Sequence, residues 1–424
     1  MFDFYPQLKQ RFDALRTRAE FFSLRYVSEA GQYLSVRKNV AEPPAFKHDQ
    51  GAMLTVRLRG IEAYAATNDL SQTGLQAALD RAEAQAQLIA AHALLNLSQE
   101  QVSHERADYF SPDLDQVFPS LNHCFDLLAC ESAAVPKDDR LVSWVVSLGL
   151  NTVEQIYLNS AGAELRQAQR FVYPGMTVTA YDGQDSQTRS LGRDNFGQQG
   201  GVDVISRCGL IGAAPTVADQ ALQLLMAPNT PAGKRDLLLM PDQMILQIHE
   251  SIGHPLELDR ILGDERNYAG TSFVKTSDFG SLQYGSKLLN VTFDPDIPEQ
   301  LASYSHDDDG TPAHKQFLIR QGVLLRPLGS ALSQFRSGLE GVANSRASSW
   351  NRPPIDRMAN LNIEPGDQSM EQMIGGIENG ILMATNRSWS IDDARNKFQF
   401  GCEWGQLIEN GELKGVVKIG RAHV

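Results

Sequence analysis

A chain of 424 residues is longer than one ordinary hydrophobic core supports and suggests two or three domains, and its 42% hydrophobic and 21% charged residues suit a globular protein with a sizeable interior. Thirty-eight basic against 51 acidic residues leave a net charge of −13, which argues against nucleic acid or an anionic membrane surface as the main partner. No run of about 18 apolar residues offers a membrane span, residues 1–10 lack the apolar stretch of a signal peptide, and the four irregularly spaced cysteines make neither a disulfide framework nor a Cys-x-x-Cys metal knuckle. The expected setting is cytoplasmic, with reduced thiols.

Tyr5, Leu8, Phe12 and Leu15 recur at helical spacing and predict an opening helix. Strand-like runs follow at 22–27, 33–37, 53–58 and 61–66, the last two separated by Arg59-Gly60; Ser71 then precedes an Ala- and Leu-rich helical stretch ending near Leu97. This is a strands-plus-helices module over residues 1–100. The pattern weakens from Ser98 to Asp139. A β-rich middle domain is expected at 110–227, with runs at 141–148, 155–158 and 171–180, a glycine-studded polar loop at 182–201 and a helix from Thr216. Prolines and a glycine at 228–234 read as a linker. The C-terminal domain, 235–418, opens with the apolar strand Leu237 to Met240, a helix begun by Pro241 and Asp242, and a Met244, Ile248, Ile252 stripe. Hairpins with glycine at the tight position are expected at 318–324 and 407–413, and the Ser305 to Pro312 stretch, without the alternating ligands of an EF-hand, reads as a polar turn. The fold class is α+β.

The chemistry lies in His249-Glu250-Ser251-Ile252-Gly253-His254. Two imidazoles hold a zinc-type ion while a hydrolytic site keeps a position open for water, and Glu250 beside the first ligand is placed to act as general base. The spacing is one residue longer than His-Glu-x-x-His. On a continuous α-helix residues five apart point about 140° apart, so the helix must loosen or end between the histidines. Gly253 permits that departure, and Pro255 disfavours helix at His254. The competing reading is a helix with two solvated histidines. Glu257 and Asp259 could orient His254 as acceptors, but surface acids are the plainer account.

Residues 249–274, HESIGHPLELDRILGDERNYAGTSFV, closely resemble the TldD/PmbA family of metallopeptidases, once described as modulators of DNA gyrase. Ala65-Ala-Thr-Asn68, Tyr157-Leu-Asn-Ser160, Ser388-Trp-Ser-Ile-Asp-Asp393 and Phe398-Gln-Phe-Gly-Cys402 extend the resemblance over roughly residues 20 to 418. It implies an N-terminal α/β module, a middle domain and a β-rich C-terminal metal domain that carries the metal-site helix. It also implies a peptidase using one zinc ion on small or unfolded peptides, and a dimer with an identical or a PmbA-like chain. Because His249, Glu250 and His254 are all present, the chain resembles the catalytic members; the rival is a non-catalytic assembly or peptide-binding subunit. The family's usual third ligand is a cysteine in a glycine-rich segment near the C-terminus. Cys402 lies upstream of that place and is expected to be a buried structural thiol. Residues 419–424 can be written as the codons of a common DNA-sequencing adapter, so this tail is expected to be artefactual and the natural chain to continue past 418.

Overall fold

In the first long strand, Phe21–Arg37, side chains alternate faces, and this parity organises the first and middle regions of the molecule. The computed structural model describes residues 2–98, 102–191, 196–418 and 422–423. Among these, a nine-stranded sheet runs in the order Ile61–Thr67, Ala45–Leu58, Phe21–Arg37, Leu141–Asn159, Glu164–Tyr181 and Arg106–Phe110, with three short strands off this path. Phe21–Arg37 pairs with Leu141–Asn159 over fifteen residue positions, so the first and middle regions share one continuous sheet. Leu24 and Tyr26 join a core with the helices Tyr5–Asp13 and Gln72–Ile89, while Leu34 and Val36 join a second core with Leu121–Ala133 and Ala214–Met226.

Odd-numbered positions present the sheet's other face to the C-terminal domain. That face carries several polar groups that are buried by pairing with the C-terminal domain, beside apolar contacts such as Tyr157 against Gly310. Arg25 donates to the carbonyls of Ser349 and Arg352 at 3.2 and 2.8 Å, and Gln167 donates to His306 O at 2.9 Å. Gln169 donates to Ser303 O at 2.8 Å. Buried polar groups of this kind must be satisfied or they cost stability, so they fix how the domain sits.

The C-terminal domain has its own sheets. Asp236–Leu239 lies parallel to Asn379–Ile391, which forms a hairpin with Phe398–Glu409 and is followed by Glu412–Val417. A four-stranded sheet built on Val291–Phe293 and Gln316–Arg320 supplies the core into which Ile252 and Leu256 pack. The fold is α+β, as expected.

Several elements differ from the sequence expectation. The Ser71-capped helix, where Ser71 Oγ accepts from Gly74 N at 3.1 Å, stops at Ile89 rather than near Leu97. The weak stretch 98–139 contains the strand Arg106–Phe110 and the helix Leu121–Ala133. The polar loop 182–201 holds the strand Ser186–Leu191, tied by Thr188 to Thr179 at 3.1 Å and by Ser190 N to Glu403 at 2.8 Å; residues 192–195 lie outside the described part. Of the tail, residues 419–421 and 424 lie outside it too, and Ala422–His423 pair with Phe400 and Gln399.

Candidate metal centre

The helix Pro241–Ile248 starts where the sequence places it, with Pro241 at a position whose missing N–H costs nothing. It does not end at the motif. Residues His249–Gly253 form one turn of π-helix, in which His254 N donates to the carbonyl of His249, five residues back. A π turn inserts one residue into an α-helix, and this is the extra residue of the His-Glu-x-x-x-His spacing. The widened turn returns His254 to the side of His249: the two rings stand 4.6 Å apart, nearly perpendicular at 85°. Donor atoms of His249, Glu250 and His254 all lie within 4.8 Å of one another.

Gly253 plays a different part from the one its conformational freedom suggests. Its φ of −58° is ordinary right-handed helix. A Cβ there would meet Met358 Sδ at 1.9 Å, so any side chain at this position would force Met358 to move. His254, with φ −59° and ψ −39°, remains helical in spite of the following proline. Pro255 has no N–H for the carbonyl of Ser251, four residues back; Tyr284 Oη donates to that carbonyl instead, at 2.6 Å.

The surroundings prepare the imidazoles. Glu257 is fully buried and not a surface acid; its Oε2 lies 2.7 Å from His254 Nδ1. Arg260, also buried, donates to the same Glu257 oxygen at 3.1 and 2.9 Å through Nε and Nη2. Arg260 Nη2 also stands 3.3 Å from His254 Nδ1, but it offers no acceptor, so the shorter carboxylate contact places the hydrogen on Nδ1 and frees Nε2 for a ligand role. Asp259 does not take this part: its Oδ1 accepts from Arg260 N, and its backbone N donates to Asp356. Protein packed around His249 displaces water, and with the His254 ring beside it the pKa falls to about 4, although the outer part of the residue is exposed. That imidazole is therefore neutral at pH 7, the form a metal needs.

Glu250 is buried and ion-paired with Arg395, whose second amino group reaches Ala269 O at 3.1 Å. Arg395 sits in the connection between the paired strands Asn379–Ile391 and Phe398–Glu409, with φ +65°. Nothing in the spacing of residues 250 and 395 announces this contact. Cys402 is elsewhere in kind: it packs with Ile381 and Met383, donates to Trp404 O at 3.0 Å, and burial pushes its thiol up to about 12. Among the described residues the converging donors are His249, Glu250 and His254 alone. Two imidazoles beside a carboxylate suit a divalent zinc ion.

Three family models match the chain: "PmbA/TldA metallopeptidase domain 1" at residues 22–86, "central domain" at 118–225 and "C-terminal domain" at 232–421. The chain belongs to the PmbA/TldD metallopeptidase family. A "Metalloprotease" of Methanothermobacter thermautotrophicus is 30% identical over 280 residues, 66% of this chain and 59% of that protein. A "Zinc metalloprotease TldD homolog" of Saccharolobus solfataricus is 28% identical over 189 residues, 44% of this chain and 40% of that one. The chain thus spans about half the length of these relatives. The fold of a Bacteroides thetaiotaomicron protein described as a modulator of DNA gyrase superposes with a TM-score of 0.76 at 17% identity, covering 98% of this chain and 90% of that one. In this PmbA/TldD chain, no helix among the described residues is long and apolar enough to cross a membrane.

Proposed function

We propose that this chain hydrolyses peptide bonds at a zinc site formed by His249 and His254, with Glu250 as general base. The observation that supports it is the π turn, which brings two imidazoles and a carboxylate within 4.8 Å where a plain α-helix would separate them. A bound zinc ion supplies Lewis-acid chemistry at a peptide carbonyl. His254 is oriented by Glu257, and Glu257 by Arg260. The Glu250 carboxylate accepts the attacking water's proton and delivers it to the leaving amine nitrogen. Arg395, paired to Glu250, holds that carboxylate at the metal-facing end of the motif. The expected substrates are small or unfolded peptides, the expected assembly a dimer with an identical or PmbA-like chain, and the expected compartment the cytoplasm.

The second reading is a non-catalytic peptide-binding or assembly subunit, favoured by the ion pair that already engages Glu250. The two are separated by Glu250→Gln. On the enzymatic reading it keeps zinc and lowers peptide turnover by roughly 10²- to 10⁴-fold, because an amide cannot accept the proton. Unchanged turnover would remove Glu250 from the mechanism, and absence of turnover in the zinc-loaded parent would favour the subunit reading.

A further inference from the structure

The chain from Ile355 to Leu361 passes beside the π turn, and its backbone is fixed at residue 357. Arg357 N donates to Asn344 O at 3.1 Å, and the buried Asn344 donates back to Arg357 O through Nδ2 at 2.9 Å. On one side Asp356 accepts from the backbone N–H groups of Asp259 and Ser330, at 2.9 and 2.8 Å. On the other Met358 and Leu361 pack against Gly253 of the metal motif. Residue 357 is therefore anchored next to the motif from both directions, as a group that orients a substrate must be.

Arg357 is half-buried, and among the described residues its guanidinium makes no hydrogen bond or ion pair. The other described arginines of which this is true, Arg59, Arg266, Arg320, Arg346 and Arg352, are all exposed, where water serves them. Arg357 instead acts on the metal centre. Burial first, then the His254 ring, keep the His249 imidazole neutral; Glu257 opposes them, and Arg357 and Arg395 add to the lowering. Burial raises the Glu257 carboxyl, and the bond and charge of His254, then Arg260 and Arg357, outweigh it.

Around the motif Arg260 pairs with Glu257 and Arg395 with Glu250, which leaves Arg357 as the cation without a counterion. A partly desolvated positive charge beside a centre suited to a divalent cation is unfavourable until an anion from outside joins it. The oxyanion of a tetrahedral intermediate is transient and is met by the metal itself. A standing charge is matched by a standing anion, and the guanidinium fork fits a carboxylate through two parallel N–H···O bonds. His249 is the exposed member of the motif, so a peptide reaches the centre from solvent on its side. We propose that Arg357 receives the C-terminal carboxylate of a bound peptide, so that the centre acts next to free chain ends and not within a chain. This rests on the peptidase reading for what the metal does to that peptide, while docking of the carboxylate is measured without metal or turnover.

Fluorescence anisotropy on the whole zinc-free chain, with dansyl-tetraalanine and its C-terminal amide as probes, tests this. The acid should bind roughly 10- to 100-fold more tightly than the amide. Arg357→Gln should bind the two alike. Arg357→Lys, which keeps the charge without the fork, should retain part of the preference, and it serves alone if the first variant fails to fold. In the zinc-loaded protein, amidation of the peptide and Arg357→Gln should each raise KM by a similar factor and leave kcat nearly unchanged. Equal binding of acid and amide by the parent, or a preference that Arg357→Gln leaves intact, would overturn the proposal. A carboxylate preference that Arg357→Gln abolishes, in a parent whose zinc-loaded form turns over no peptide, would uphold the role of Arg357 and remove the peptidase reading instead.

Discussion

At the residue scale the metal motif was legible because its chemistry is local: two imidazoles and a carboxylate within six positions. The groups that orient it were not. Glu257, between Leu256 and Leu258, reads in the sequence as a surface acid, and only the fold shows it buried between His254 and Arg260. Removing its charge in Glu257→Gln should weaken zinc affinity by roughly 10- to 100-fold in chelator competition; unchanged affinity would show that His254 needs no such partner. His249 carries a pH signature in the metal-free protein. Its folded pKa of about 4 lies below the unfolded value near 6.5, so the folded state binds fewer protons between those values. Stability on this account is present above pH 6.5 and is lost as pH falls toward 4. Denaturant midpoints at pH 7 and 5 should therefore differ more in the parent than in His249→Gln.

At the element scale the spacing required a break in the helix, and the chain makes it by widening one turn and continuing through His254–Leu256. Gly253 illustrates the limit of reading a glycine from sequence: flexibility and close approach look alike, and here Met358 decides. Gly253→Ala should cost about 1–3 kcal/mol in thermal or chemical unfolding through overpacking, and Met358→Ala in the same chain should recover part of it. Recovery of none would place the strain in the turn itself. The hairpins were legible because Gln321-Gly322 and Asn410-Gly411 adopt positive φ, as tight turns demand. The helix Leu121–Ala133 was not, since its buried face of Cys124, Leu128, Glu131 and Ser132 mixes polar with apolar residues. Cys402, buried among Ile381 and Met383, should resist alkylation in the native protein while exposed Cys130 reacts; rapid native labelling of Cys402 would contradict its structural role.

At the scale of the whole molecule, composition shifts and the proline-bearing linker suggest where the chain divides, but they carry no sign of the sheet that its first and middle regions share. Strand pairing between residues near 30 and near 150 leaves no local trace, and the sheet's polar groups read as solvent-facing until a third domain covers them. Arg25→Ala should leave the carbonyls of Ser349 and Arg352 without their donor and cost roughly 2–4 kcal/mol of domain docking, seen as a lower or split thermal transition. What the whole arrangement serves is one convergence of side chains, and X-ray absorption at the zinc edge addresses it directly. The zinc-loaded chain should show imidazole nitrogens at about 2.0–2.1 Å, reduced in number in both His249→Ala and His254→Ala. A zinc spectrum without imidazole, or one that neither substitution alters, would contradict a shared site at the π turn.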